Sequence, residues 1–152
     1  FSNLKIENAD NWRETNLKIN FNLESTAFVT ASGNKLYLTP TLGLGVRENP
    51  FNNPERRFHI DLGSPHDDTY ILEFKIPAGY QVEEMPKPMK VMFGENALIF
   101  EYLVESNPER IKMIVRNKVK KTFITADQYT DLRQFFTTMI AKMEEQVVLS
   151  KS

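Results

Sequence analysis

Residues 97–124 read ALIFEYLVESNPERIKMIVRNKVKKTFI. Leu98, Phe100 and Tyr102 fall on one side of an alternating pattern. After Asn107-Pro108, the residues Ile111, Met113, Val115 and Val119 alternate with Lys112, Arg116, Lys118 and Lys120. A period of two is the mark of a strand with one face toward a core and one toward water. Asn-Pro is turn chemistry, because Pro presets φ and Asn bonds its own backbone. Two such strands around one short turn predict an antiparallel hairpin, and with it a β fold.

Working outward, the same pattern repeats. NLKINFNL (16–23) sets Leu17, Ile19, Phe21 and Leu23 against polar residues and predicts a half-buried strand. Two β-rich runs flank Ser32-Gly33-Asn34-Lys35, which predicts a hairpin. Residues 41–57 carry Gly43, Gly45, Pro50 and Pro54 and predict a long loop. RFHIDL (57–62) sets Phe58, Ile60 and Leu62 on one face, and GSPHDD (63–68) reads as a turn. TYILEFKIP (69–77) faces Tyr70, Leu72, Phe74 and Ile76 together until Pro77 stops the ladder. All eight prolines fall in expected loops or at the ends of runs. Seven to nine short strands at this spacing predict a mainly β chain, an antiparallel β-sandwich of fibronectin III or immunoglobulin-like type.

One element breaks the pattern. Residues 126–145 predict an α-helix, with Tyr129, Leu132, Phe136, Met139, Ile140 and Met143 on one stripe and Phe135 beside it. Thr125 and Gln128 form a capping box, and Ile124 and Tyr129 take the staple positions. A lone amphipathic helix in a β domain is expected to plug the sheet rather than leave it. VVLSK (147–151) reads as a short final strand or an ordered tail.

Composition narrows the function. The chain has 152 residues, 41% hydrophobic and 26% charged, which suits one folded domain over 1–152 with a core of its own. Nineteen basic residues against twenty acidic give a net charge of −1, so no overall field recruits nucleic acid or an anionic membrane. There is no cysteine, which removes thiol catalysis, Cys-zinc sites and disulfides. No apolar run is long enough for a membrane span. Residue 1 is Phe, so the chain reads as an excised or mature fragment of a larger one.

Candidate chemistry is sparse. Ser64, His66, Asp67 and Asp68 are neighbours in sequence, but a triad needs convergence in space. His59 and Asp61 share a strand face, and with His66 could form a metal site, although no spacing matches a known metal loop. No metal or other cofactor is expected. Lys112, Arg116 and Lys118 make one strand face basic, a candidate surface for an anionic partner. No aromatic interleaves there to stack bases, so a solvated face is the simpler reading. Trp12, Phe51 and Tyr80 are candidate platforms for a glycan or peptide, if all three lie exposed at one loop end.

Several stretches together resemble a known family. They are NPF (49–51) followed by Arg57, IDLGSP (60–65), ILEFKIPAGYQVEEMP (71–86), YTDLRQFF (129–136) and VVLSK (147–151). In this order they resemble the C-terminal domain of unknown function that follows a transglutaminase-like domain in secreted multidomain bacterial proteins. The recurring positions are Pro50, Pro77, Gly79, Tyr80, Pro86, Tyr129 and Phe136, turn formers and core aromatics. The resemblance implies that Cys-His-Asp chemistry belongs to an upstream papain-fold domain and that this chain is not itself an enzyme. It implies a neighbouring transglutaminase-like domain as partner, and the periplasm or cell surface of a Gram-negative bacterium as location. The alternative is a glycan- or peptide-binding module at the cell surface.

Overall fold

The structure is a computed structural model that describes residues 2–11 and 13–152. In chain order the first strands are β1 (Ser2–Glu7), β2 (Lys18–Asn22), β3 (Val29–Ser32), β4 (Lys35–Leu38) and β5 (Ile60–Asp61). There follow β6 (His66–Lys75), β7 (Tyr80–Glu84), β8 (Met89–Phe93), β9 (Leu98–Ser106), β10 (Arg110–Val119) and β11 (Phe123–Ile124). A 3-10 turn over Ala126–Gln128 leads into helix α1 (Tyr129–Met143), and β12 (Val147–Lys151) closes the chain. The expected class holds: the chain is mainly β, its sheets are antiparallel, and the one α-helix among the described residues is C-terminal.

The hairpin read first is the centre of one four-stranded sheet, in the order β6-β10-β9-β8. Its turn is held by Asn107, whose Oδ1 accepts the amides of Glu109 and Arg110 at 2.9 and 2.8 Å. Register puts Val115 beside Tyr102 and Tyr70, and Met113 beside Val104 and Leu72. The inward row therefore comes from three strands at once, and Phe100, Tyr102 and Met113 are fully buried. A second sheet has the order β3-β4-β12-β7. Its inward row is Leu36 and Leu38 opposite Leu149 and Val147, with Val82 beyond. Both rows enter one core, together with Tyr129, Leu132, Phe135, Met139 and Met143 of α1.

The chain passes from the first sheet to the second through Pro77-Ala78-Gly79-Tyr80. The Tyr80 amide bonds the Pro77 carbonyl at 3.1 Å, and Gly79 sits at φ +80°. That is the geometry of a type II turn, where a residue with Cβ would be strained. The Pro-x-Gly-Tyr run is thus a corner between sheets.

Helix α1 is held from both sides. Its capping box forms, and the Gln128 Oε1 accepts both the Thr125 amide and the Thr125 hydroxyl, at 3.4 and 3.1 Å. Ile124 and Tyr129, the staple pair, are both buried. The long loop of residues 39–59 lies over the helix as a strap. Thr41 Oγ1 donates to the Met143 carbonyl at 3.0 Å, satisfying one of the acceptors a helix end leaves open. Asn49 Nδ2 donates to the Arg133 carbonyl at 2.9 Å, and the Tyr129 hydroxyl donates to the Asn53 carbonyl at 2.7 Å.

Four expectations are corrected. The strand at 17–23 is not half-buried. Among the described residues it pairs only with β1, and Leu4, Ile6, Ile19 and Phe21 are 65, 54, 55 and 47% exposed. The alternation is real, but the apolar face it creates stays largely exposed. Phe58 does not join Ile60 in the core and is 78% exposed, because regular strand begins only at Ile60. His66, Asp67 and Asp68 are not a turn but the start of β6, drawn into the ladder opposite Val119, Lys118 and Asn117. Within α1, Phe135 is the buried ring and Phe136 the half-buried one.

Candidate functional site

The local cluster around His66 does not assemble a catalytic set. The His66 Nδ1 lies 3.0 Å from the Ser64 backbone carbonyl, not its hydroxyl. Asp61 Oδ1 accepts the Gly63 amide at 2.9 Å, closing a tight local turn. His59 stacks on Phe123, with ring centroids 4.6 Å apart. Asp67 is bound by two cations: Arg116 grips both its oxygens through one guanidinium edge, Nε at 2.7 Å and Nη2 at 2.6 Å, and Lys118 Nζ sits at 2.7 Å. Among the described residues no three His, Cys, Asp or Glu side chains converge as metal ligands would.

The same contacts explain the basic strand face. Lys112, Arg116 and Lys118 do share the outward side of β10, as the sequence indicates. Register sets Lys112 between Glu73 and Glu105, Arg116 beside Glu101, and Lys118 beside Asp67. Lys90 meets Glu101 at 2.6 Å on the next strand. A stripe that is basic in one strand becomes a mixed-charge face once its neighbours are added, and cross-strand pairs of opposite charge stabilise the ladder.

The Arg116 and Lys118 hydrogen bonds hold the Asp67 carboxyl well below the usual carboxylate range, against a smaller opposing effect of burial. A lowered folded-state value means that the stabilisation is fully present above the ordinary Asp value of 3.8. It is lost as pH falls below that toward the lowered folded value. The pair is about one-third exposed, so water and salt weaken it. Asp67→Asn is expected to cost about 0.5–1 kcal/mol at neutral pH. The loss should vanish in strong acid and shrink in high salt. Thermal melts of both proteins from neutral to strongly acidic pH check this, and coincident curves at neutral pH would count against it.

The three aromatic candidates do not form a platform. Phe51 is 7% exposed, because its ring packs edge-on against Phe136 at 5.0 Å and Tyr129 at 6.1 Å. It fastens the strap to the helix. Tyr80 is half-buried against the core at the start of β7. Trp12 lies outside the described residues.

Sequence reasoning missed two buried polar groups. Tyr102 is fully buried with no hydrogen-bond partner for its hydroxyl among the described residues. Burial, and then the charge of Glu145, push its phenol up to about 12, so it stays protonated and inert as a nucleophile. Lys142 is 3% exposed. Its Nζ lies 5.5 Å from the centre of the Tyr102 ring and 2.7 Å from Glu145 Oε2. A cation at a helix C-terminus, over an aromatic face and beside a carboxylate, is stabilised three ways. The signal in the sequence was position: Lys142 falls three residues after Met139, on the apolar side of the helix.

Two shallow clefts flank the helix, of about 310 Å³ between β8 and α1 and about 290 Å³ beneath Leu44 and Val46. Neither brings a nucleophile and a base together. Two exposed aromatics lie elsewhere, at the short β5–β11 pair: Phe58, and Phe123 at 59% exposure. Basic doublets beside a lone Phe, in RRF and KKTF, were the available sign.

The fold has a counterpart among solved structures. It is similar to a crystal structure described as a "putative protease" from Parabacteroides distasonis, with a TM-score of 0.60 at 12% identity. The match covers 76% of this chain and 23% of that one, so the chain spans about a quarter of that protein's length. At this identity the likeness concerns the fold alone. No curated protein matches. The family model of a domain of unknown function, DUF3858, matches residues 34–149, and the chain belongs to that family.

Proposed function

We propose that this chain is a non-catalytic accessory domain that packs beside a transglutaminase-like domain of a longer polypeptide. The observation that carries this reading is the β1–β2 ribbon. Ile6 stands opposite Ile19, and Leu4, Leu17 and Leu23 share the amphipathic pattern while remaining exposed. A two-stranded ribbon with a largely exposed apolar face has little stability of its own in water. It lies outside the family match at 34–149, where an element shared with a neighbouring domain would lie. In such an assembly the chemistry resides in the neighbour, and this chain positions it. The reading places the protein in the periplasm or at the cell surface of a Gram-negative bacterium. Among the described residues no helix is long and apolar enough to cross a membrane.

Two measurements test this. The purified chain should show no peptidase or amide-transfer activity, and turnover that survives repurification would sink the non-catalytic reading. Amides of residues 2–23 should exchange with solvent within seconds in the isolated chain. They should be protected by at least about a hundredfold when the transglutaminase-like domain precedes them in one polypeptide. Equal exchange in both would remove the docking role.

A second reading, a glycan- or peptide-binding module at the cell surface, is favoured by one observation. Phe58 and Phe123 are large apolar rings held out to solvent on the β5–β11 pair rather than in the core.

A further inference from the structure

The cations beside those two rings are free. Arg110, Arg116, Lys118 and Lys90 on the sheet face each meet a carboxylate. Arg56, Arg57, Lys120 and Lys121 are exposed, and among the described residues none of the four makes an ion pair. The nearest acids along the chain, Glu55, Asp61 and Asp127, do not neutralise them. Asp61 is turned into the Gly63 amide.

The pairing of β5 with β11 organises these groups. Asp61 faces Phe123 and Ile60 faces Ile124, and the Leu62 amide bonds the Thr122 carbonyl at 2.9 Å. Because the strands run antiparallel, the residues before β5 and those before β11 leave the pair in opposite directions. Arg56-Arg57 therefore extends one end of the pair and Lys120-Lys121 the other. Between them stands the His59–Phe123 stack, with rings inclined by 26°. Phe58 adjoins it.

We propose that this strip binds an acidic polysaccharide of the polyuronate kind. A flat aromatic face removes the C–H face of a pyranose from water, and cations at either end meet carboxylates carried on successive rings. An open strip suits an extended polymer better than a small molecule, which needs a concave pocket. A net charge of −1 on the whole chain gives no long-range pull on any polyanion, so the ring face has to contribute as much as charge does. The inference rests on the second reading above and is independent of the accessory role.

The test uses the intact chain in affinity electrophoresis against four probes. They are polygalacturonate, its fully methyl-esterified form, polyglutamate and single-stranded oligothymidylate. Retardation by polygalacturonate alone is expected. Phe123→Ala, and the double change Lys120→Glu with Lys121→Glu, should each weaken it by about tenfold. Arg56→Glu with Arg57→Glu should act likewise, with thermal melts unchanged in all three variants. Equal retardation by polyglutamate that ignores Phe123→Ala would reduce the strip to charge alone and overturn the proposal. Tighter binding of the oligothymidylate would overturn it in favour of nucleic acid. Equal binding of the esterified polymer that still needs Phe123 would overturn the anionic assignment but leave the glycan-module reading standing. No retardation by any probe would overturn the proposal.

Discussion

A chain ending at Gln146 is expected not to fold. It lacks β12, which in the sequence reads as a short final strand or an ordered tail. In the structure β12 is an inner strand of the second sheet, paired with β4 on one side and β7 on the other. Val147, Val148 and Leu149 are all at least nine-tenths buried. Burying each is worth roughly 1.5–3 kcal/mol, so the truncation removes about 5–9 kcal/mol before any ladder hydrogen bond is counted. That is comparable to the whole stability of a typical domain. Two sheet edges would also be opened at once. Circular dichroism and urea titration check this. A truncated chain that still unfolds cooperatively near the parent midpoint would show that the second sheet closes without its inner strand. Leu149→Ala, which keeps the backbone, should fold with a loss of about 2–4 kcal/mol.

The strands of the first sheet were legible because each has one wet face and one dry face. The run from Leu98 to Val119 could be assigned residue by residue, and the register has Phe100, Tyr102, Met113 and Val115 inward as the alternation requires. The helix was legible for a similar reason, with caps and stripe agreeing. Periodicity reports which residues share a face, not what covers that face. Hence β2 has the pattern of a half-buried strand and is exposed throughout. It is also silent on very short strands, so RFHIDL suggested an inward Phe58 when only Ile60 and Asp61 are paired.

The candidate sites were less legible, because charge on a sheet is a property of neighbours that sequence separates. Asp67 and Arg116 lie 49 positions apart, and only the β6–β10 register shows that they cancel. The same tetrad, NPER, illustrates the point at the level of turns. At 107–110 it closes a hairpin through the Asn107 side chain, whereas at 53–56 its Asn53 carbonyl receives the Tyr129 hydroxyl. Phe51 sits among Pro and Asn in a long loop, a composition that reads as solvent-exposed. A loop that straps a helix needs an apolar anchor, and Phe51 is that anchor.

Phe135→Ala is expected to destabilise the chain by about 3–5 kcal/mol, and Phe136→Ala by about half as much. The sequence stripe ranks them the other way, since Phe136 stands with Leu132, Met139 and Met143 at helical spacing. Packing reverses the order. Phe135 is 7% exposed, and its ring lies 6.4 Å from that of Phe93 on β8, the edge strand against which the helix packs. Phe136 is rotated toward the strap and meets Phe51 edge-on, where residues 39–59 can shift to fill part of a cavity. The distinction can be measured by coupling. Phe136→Ala and Phe51→Ala should be non-additive, because each removes the same ring contact. Phe135→Ala and Phe93→Ala should couple in the same way, across the helix–sheet contact instead of the strap. Urea midpoints of the singles and the two doubles decide it. If Phe136→Ala costs more than Phe135→Ala, the strap is part of the rigid core rather than a cover laid over it. The helix would then be held mainly from its outer side.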